Sequence, residues 1–179
     1  DFNNLTAVEQ CDNCPPMVAC LVGTGGQQKL PVACAPGHYC PGTTGTPNQY
    51  PCAAGTYTNK TNLQSQSQCE DCVRGWYCLQ GSSAPSGECF KGHWCPLGTP
   101  SGYSNPCHAG SYSNNTGNTM WEQCEDCPEG YYCPKASALP TACPPGSFRD
   151  DEEAKVLQDC TPCTPGYYCP DNAPVGPTV

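Results

Sequence analysis

The sequence contains no isoleucine and little of any other large aliphatic residue. Leu, Val and Phe together number only 19 of 179 residues, far below the share that a globular enzyme core uses. Positive charge is also scarce, with 7 Lys and Arg against 16 Asp and Glu and a net charge of −9. Phosphate neutralisation needs clustered Lys or Arg, so nucleic acid is excluded as a natural partner, and an anionic membrane surface is excluded for the same reason. No apolar run approaches the roughly 20 residues of a spanning helix, so direct membrane insertion of this segment is not expected. The chain opens at Asp1 with neither an initiator Met nor a signal peptide. It reads as a processed product or as a window of something longer.

What is abundant is cysteine, at 19 residues, with 19 Gly and 21 Pro. So few aliphatic residues normally mean disorder, but this much cysteine points to a disulfide scaffold in an oxidising, extracellular setting, secreted or on a cell surface. The expected fold class is small and disulfide-rich: tandem cysteine-rich modules with short β-hairpins and little helix, stacked as an elongated rod.

The cysteines fall on a repeat. Cys34, Cys40, Cys52, Cys69, Cys72 and Cys78 recur 55 residues later as Cys89, Cys95, Cys107, Cys124, Cys127 and Cys133. A C-x16-C-x2-C-x5-C unit occurs three times without a length change, from Cys52, Cys107 and Cys143. The array divides into a truncated first repeat at 1–51, a full repeat at 52–106, a shortened one at 107–142 and a final one at 143–179. That last repeat reads as cut before a further module.

Spacing leaves two connectivities open. In a local tiling each C-x5-C closes on itself (Cys14 with Cys20, Cys34 with Cys40, Cys72 with Cys78, Cys89 with Cys95, Cys127 with Cys133, Cys163 with Cys169). Each C-x16-C does likewise (Cys52 with Cys69, Cys107 with Cys124, Cys143 with Cys160). Only Cys11 is left over, for a partner upstream or on another chain. The interlocked alternative, Cys72 with Cys89 and Cys78 with Cys95, fits the middle repeat but leaves Cys127 and Cys133 without a later free pair. The C-x2-C pairs are spaced as zinc ligands are, but flanking cysteines at fixed intervals favour disulfides, and no metal is expected.

Three Asn-x-Ser/Thr sequons stand at Asn4, Asn59 and Asn114. Asn59 and Asn114 occupy the same place in their modules. N-linked glycans are expected at these exposed positions, with O-glycans as a weaker reading for the links at 43–47 and 99–101. The acidic run at 150–153 reads as a solvated face rather than a calcium loop, because the EF-hand spacing is missing. The only expected helical turn spans 150–157. His38 and His93 recur in Gly-His-(Tyr/Trp)-Cys and read as one structural slot, whereas His108 has no evident partner. The recurring aromatics Tyr39, Tyr57, Tyr77, Trp94, Tyr112, Tyr132, Phe148 and Tyr168 are expected to pack on the cystines and supply the small core. No catalytic constellation is found, so no catalytic residue and no cofactor are assigned.

The Cys-x-x-Gly-x-Tyr opening, and the Cys-x-x-Cys-Pro-x-Gly-Tyr-Tyr-Cys-Pro close best seen over 124–134 and 160–170, resemble the ephrin-receptor-like cysteine-rich repeat. The likeness to epidermal-growth-factor-like (EGF-like) and tumour-necrosis-factor-receptor modules is looser. The chain departs from the pattern between Cys14 and Cys20, where Gly-x-Tyr is missing, and before Cys143, where a C-x5-C unit is lost. The resemblance implies an extracellular protein without enzymatic activity. Long arrays of this kind look like those of algal and protist cell-surface proteins, including flagellar-hair components. The expectation is a structural glycoprotein, a disulfide-stapled rod in a secreted fibre or filament or in a surface coat, that self-associates or joins other modules of a longer chain. The competing expectation is the ligand-binding stalk of a membrane receptor or adhesin.

Overall fold

The computed structural model describes residues 14–21, 30–170 and 175–178. Asn4 and Cys11 lie outside them. Among the described residues the structure is a succession of two-stranded antiparallel hairpins, almost all with strands of two residues. β1 (Val18–Leu21) pairs with β2 (Leu30–Ala33), β3 (His38–Tyr39) with β4 (Tyr50–Pro51), and β5 (Thr56–Tyr57) with β6 (Glu70–Asp71). β7 (Trp76–Tyr77) pairs with β8 (Gly87–Glu88), β9 (Ser111–Tyr112) with β10 (Glu125–Asp126), β11 (Tyr131–Tyr132) with β12 (Thr141–Ala142), and β13 (Ser147–Phe148) with β14 (Thr161–Pro162). Single bridges, His93 to Pro106 and Tyr168 to Thr178, close the same kind of turn.

Nine disulfides join Cys14–Cys20, Cys34–Cys40, Cys52–Cys69, Cys72–Cys78, Cys89–Cys95, Cys107–Cys124, Cys127–Cys133, Cys143–Cys160 and Cys163–Cys169. These are the pairs of the local tiling. Their Cα atoms lie between 5.7 Å and 6.0 Å apart, the ordinary span of a bridge.

Contacts divide the chain into two compact bodies. The first comprises Asp1–Val73, Tyr77–Gly87 and Leu97–Ser101; the second comprises Arg74–Trp76, Glu88–Pro96 and Gly102–Val179. Both are built from one finer step, a Cys-x-x-Gly turn followed by a hairpin. The step opens at Cys34, Cys52, Cys72, Cys89, Cys107, Cys127, Cys143 and Cys163. It opens also at Cys14, where Met17 takes the glycine's place with φ +80°. The missing Gly-x-Tyr between Cys14 and Cys20 therefore leaves the turn standing, with a non-glycine residue in the left-handed region.

In the first body, successive steps are joined through the backbone. Thr43, Asn62, Gly81 and Gly98 all have positive φ, and their N–H groups donate to the carbonyls of Cys14, Cys34, Cys52 and Cys72 at 2.8, 3.3, 2.9 and 2.9 Å. Any side-chain carbon at Gly37 or Gly55 would overlap the carbonyl of Gly81 or Gly98. The second body repeats the arrangement. Gly117, Ala136 and Glu153, again left-handed, donate to Cys89, Cys107 and Cys127 at 2.9, 3.0 and 2.8 Å. A carbon at Gly75 would stand 2.6 Å from the Gly117 carbonyl, and one at Gly110 would stand 2.7 Å from that of Glu153. Only glycine admits such an approach together with this backbone conformation.

Direct backbone bonding leaves room between steps mainly for small side chains, although Leu63 at 5% and His93 at 9% exposure are buried too. Cys34, Cys40, Cys52, Cys72, Cys78, Cys89, Cys95, Cys107, Cys127 and Cys133 are wholly buried, and Thr44, Thr58, Thr99, Ser113 and Asn118 are buried among them. The expectation that aromatics supply the core is corrected by the same geometry. Tyr39, Tyr57, Tyr77, Trp94, Tyr112, Tyr132 and Phe148 are half-buried and Tyr168 is exposed. Rings lie along the flank instead: Tyr39 stacks on Tyr50 at 5.7 Å, and Phe90 on Tyr103 at 4.3 Å. Buried hydroxyls are tolerated because they are bonded. Asn118 Nδ2 donates to Ser113 Oγ at 2.7 Å, and among the described residues no buried side-chain N or O atom lacks a partner.

The helical turn expected at 150–157 is also corrected. Short 3-10 turns occur at Gln66–Gln68, Trp121–Gln123 and Leu157–Asp159. Each immediately precedes the second cysteine of a C-x16-C loop. The residue before that cysteine folds back and accepts two backbone N–H groups. Gln68 Oε1 takes those of Gln64 and Ser65 at 2.6 and 3.2 Å. Gln123 Oε1 takes those of Thr119 and Met120 at 2.6 and 3.3 Å. Asp159 Oδ2 takes those of Lys155 and Val156 at 2.6 and 3.0 Å. This reciprocal cap satisfies donors that a single turn leaves over.

Candidate functional site

The two in-register sequons stand just past their hairpin strands. Asn59 follows Thr58, and Asn114 follows Ser113. Thr58 and Ser113 are buried at 0% and 1% exposure, so each chain turns outward at the next residue and Asn59 and Asn114 are exposed. Asn114 Oδ1 accepts from Lys91 Nζ at 2.9 Å, and the hydroxyl of its sequon residue Thr116 donates to Glu88 Oε2 at 2.6 Å. Beside Asn59, Lys60 pairs with Glu70 at 2.7 Å. The hydrogen bond and charge of Glu70 raise the Lys60 pKa.

The O-glycan reading of the links is narrowed. Thr44 and Thr99 are 1% and 2% exposed, which withdraws both hydroxyls from any transferase. Asp150 to Glu153 are exposed, but the run has a local architectural role. Arg149 pairs with Asp151 at 3.5 Å, and Glu153 is the left-handed residue whose carbonyl faces Gly110. Among the described residues no group of three or more His, Cys, Asp or Glu is placed to hold a metal ion. Every described cysteine is in a disulfide.

His38 and His93 share one geometry. Their Nδ1 atoms lie 3.0 Å from the carbonyls of Pro36 and Lys91. A carbonyl only accepts, so Nδ1 carries the proton in both and the ring locks the Cys-x-x-Gly turn.

His108 does have a neighbour. Its ring meets that of Trp121 edge-on at 6.3 Å, and the two line a cleft of about 160 Å³ with Ala109, Gly110, Ser111, Cys124, Asp126 and Glu153. The 3-10 turn presents Trp121, which is 54% exposed. Strand β10 presents Asp126, whose neighbour Glu125 accepts the Tyr112 hydroxyl at 2.8 Å. That bond raises the Tyr112 pKa. An indole beside two carboxylates suits a small cation or a hydroxyl-rich ring. Sequence reasoning missed this cleft because Trp121 lies 13 residues from His108. The register of Glu125 against Tyr112 brings the two segments together, and neither carries a motif.

Among the described residues no helix is long and apolar enough to cross a membrane. Nine disulfides are what an oxidising, extracellular or secretory setting produces. Compared with known proteins, the chain is matched by no protein-family model, and no curated protein matches it.

Proposed function

We propose that this chain is a non-enzymatic extracellular structural glycoprotein, a disulfide-stapled repeat rod within a secreted fibre or cell-surface coat, of ephrin-receptor-like type. The observation that supports it is the recurrence of one backbone stitch, from a left-handed N–H to a cysteine carbonyl, between successive steps of each body. An array that spends its polar backbone groups on holding each step to the next, with cystine as its core, is built to bear load rather than to move. N-linked glycans at Asn59 and Asn114 would keep the flank solvated, and the reading needs no cofactor.

Electron microscopy of the native, unreduced material tests this reading. Filaments with a repeat commensurate with the modules, carrying density at Asn59 and Asn114, are the expected result. Discrete particles or membrane-bound stalks would overturn it. Glycopeptide mass spectrometry of the same material is expected to find both asparagines occupied. The cleft of His108, Trp121, Asp126 and Glu153 favours a second reading, a ligand-binding stalk of a receptor or adhesin. That reading predicts saturable binding lost in Trp121→Ala.

A further inference from the structure

Three loops of this chain share one scaffold, and one of them carries a different set of side chains. In the loops that open at Cys52 and Cys107, matching positions lie 55 residues apart. Ala53, Gln66, Asp71 and Gly98 thus correspond to His108, Trp121, Asp126 and Glu153, which line the cleft. The framework is the same in both. The hydroxyls of Thr56 and Ser111 donate to the carbonyls of Ala53 and His108 at 2.7 and 3.0 Å. The N–H groups of Gly98 and Glu153 donate to the carbonyls of Cys72 and Cys127 at 2.9 and 2.8 Å. The loop that opens at Cys143 keeps the hydroxyl bond, Ser147 to Pro144 at 2.7 Å, and has Pro144, Leu157 and Pro162 in place of His108, Trp121 and Asp126. The scaffold therefore forms without the side chains of the cleft.

The replacements open the site and charge it. Gln66 spans the earlier loop: its Oε1 accepts the Ala53 N–H at 3.0 Å and its Nε2 donates to Thr56 Oγ1 at 3.2 Å. An indole has no acceptor, so Trp121 cannot take the His108 N–H in this way. It stands 54% exposed with His108 edge-on to it, beside a space of about 160 Å³. The change from glycine to glutamate costs twice. Glu153 holds φ +59° where Gly98 holds +75°, a region that glycine enters without strain. In the earlier loop Asp71 Oδ1 stands 3.8 Å from where a side-chain carbon at Gly98 would be, so a glutamate at the matching position starts beside the Asp126 carboxylate. Like charges so placed repel. Among the described residues the ion pairs are Lys60–Glu70 and Arg149–Asp151, and neither Asp126 nor Glu153 has one. Lys155 passes the rim, its Cγ 3.4 Å from where a side-chain carbon at Gly110 would be, but it is not part of the lining.

We infer that this cleft binds a small organic ammonium ion, seated against the Trp121 ring with Asp126 and Glu153 supplying the counter-charge. Tryptophan is the aromatic side chain that attracts a cation most strongly, and an ammonium ion relieves the repulsion between the two acids. A neutral hydroxyl-rich ring would leave that repulsion in place. A bare metal ion does not fit, because among the described residues no group of three His, Cys, Asp or Glu is placed to hold one. The size agrees: a cavity of about 150 Å³ takes a group as large as benzene, and a methylated ammonium head is no larger. The inference rests on the second reading above, which needs a ligand at this cleft, and names the chemical class of that ligand.

Nuclear magnetic resonance titration of the full, disulfide-intact chain with choline and with Nα-acetyl-lysine amide tests it. The readout is the indole N–H signals of Trp76, Trp94 and Trp121, the last identified by its loss in Trp121→Gln. Saturable movement of the Trp121 signal alone is expected, with a Kd on the order of 1–10 mM for the better probe. The better probe tells a free quaternary amine from a lysine side chain as the source of the ammonium group. Potassium chloride at the same ionic strength is expected to leave the signal in place. Trp121→Gln and Glu153→Gly restore the residues of the earlier loop and so keep the scaffold, which peptide mapping of the disulfides checks. Binding to each, followed by calorimetry, is expected to be at least fivefold weaker, with Trp76→Phe behaving as wild type. No saturable shift with either amine, an equal shift with potassium, or unchanged affinity in both variants overturns the ammonium site. Saturation by methyl glucoside where the amines fail would sink the ammonium ion and leave the ligand-binding reading standing. Amine binding by a chain whose native material is filamentous would keep the site and sink the stalk.

Discussion

Gly110 shows how one residue can hold a stitch. Its φ of +92° is left-handed, and the Glu153 carbonyl stands 2.7 Å from where a side-chain carbon would be. Gly110→Ala therefore meets two penalties, the backbone strain and the displaced carbonyl, expected to total roughly 2–4 kcal/mol. Gly146→Ala meets only the first, because nothing lies within 4 Å of it, and is expected to cost about 1–2 kcal/mol. Denaturant unfolding of the two variants measures the difference. Equal losses would show that the close approach carries no energy. Met17 is the converse case, a non-glycine residue at φ +80° with its side chain 42% exposed. Met17→Gly relieves strain and removes little packing, so a gain of about 0.5–1 kcal/mol is expected after the entropy of the added glycine is counted. The recurrence of Cys-x-x-Gly marks the covered glycines in the sequence. The left-handed residues bonded across to the preceding step are not marked: Thr43, Asn62, Ala136 and Glu153 share a backbone conformation and no side-chain chemistry, and a bond between two backbone groups leaves no trace in residue type.

At the scale of the element, the 3-10 turns show what was legible and what was overlooked. An acidic run followed by Ala154 and Leu157 suggested a turn over 150–157, on propensity alone. The better signal was positional: Gln68, Gln123 and Asp159 each stand immediately before the second cysteine of a C-x16-C loop, and that residue is the cap. Gln and Asp both offer a carbonyl-type oxygen, but only Asp159 titrates. Its carboxyl is held below its ordinary pKa of 3.8, first by the N–H of Lys155 and then by that of Val156. A depressed carboxyl stabilises the fold above its unfolded pKa and loses that contribution as pH falls through the folded value. Stability at 143–160 is thus expected to be flat at neutral pH and to fade below about pH 4. The two glutamine-capped turns make no such contribution. Asp159→Asn keeps an acceptor and should remove the pH dependence, while Asp159→Ala should lose about 0.5–1.5 kcal/mol at pH 7. Thermal unfolding of both variants at pH 7 and pH 3 separates these effects. An unchanged acid sensitivity in Asp159→Asn would assign it to another carboxyl.

For the whole molecule, the cysteine spacing made the disulfide class and the hairpins legible, but the assignment of the core to aromatic rings missed how close the stitches bring the steps. That closeness bears on which bridges matter most. If disulfides acted only through the entropy of the unfolded chain, the longer loops would be worth more. A bridge at separation 17, such as Cys107–Cys124, would exceed one at separation 6, such as Cys127–Cys133, by about 1 kcal/mol. The packing argues the other way. Cys127 and Cys133 are both 0% exposed, and the Cys133 N–H and Cys127 carbonyl are themselves stitches to Ala154 and Glu153. Of the longer pair, Cys124 is only half-buried. Emptying the short bridge leaves a cavity among the buried cystines and loosens two backbone bonds between steps. That cost is about 2–5 kcal/mol by analogy with large-to-small core changes, enough to outweigh the entropy difference. The double variant Cys127→Ala/Cys133→Ala is therefore expected to melt below Cys107→Ala/Cys124→Ala. The reverse order in calorimetry would show that the cystines act as tethers of the unfolded chain and that the stitched backbone, rather than the buried sulfur, is what packs.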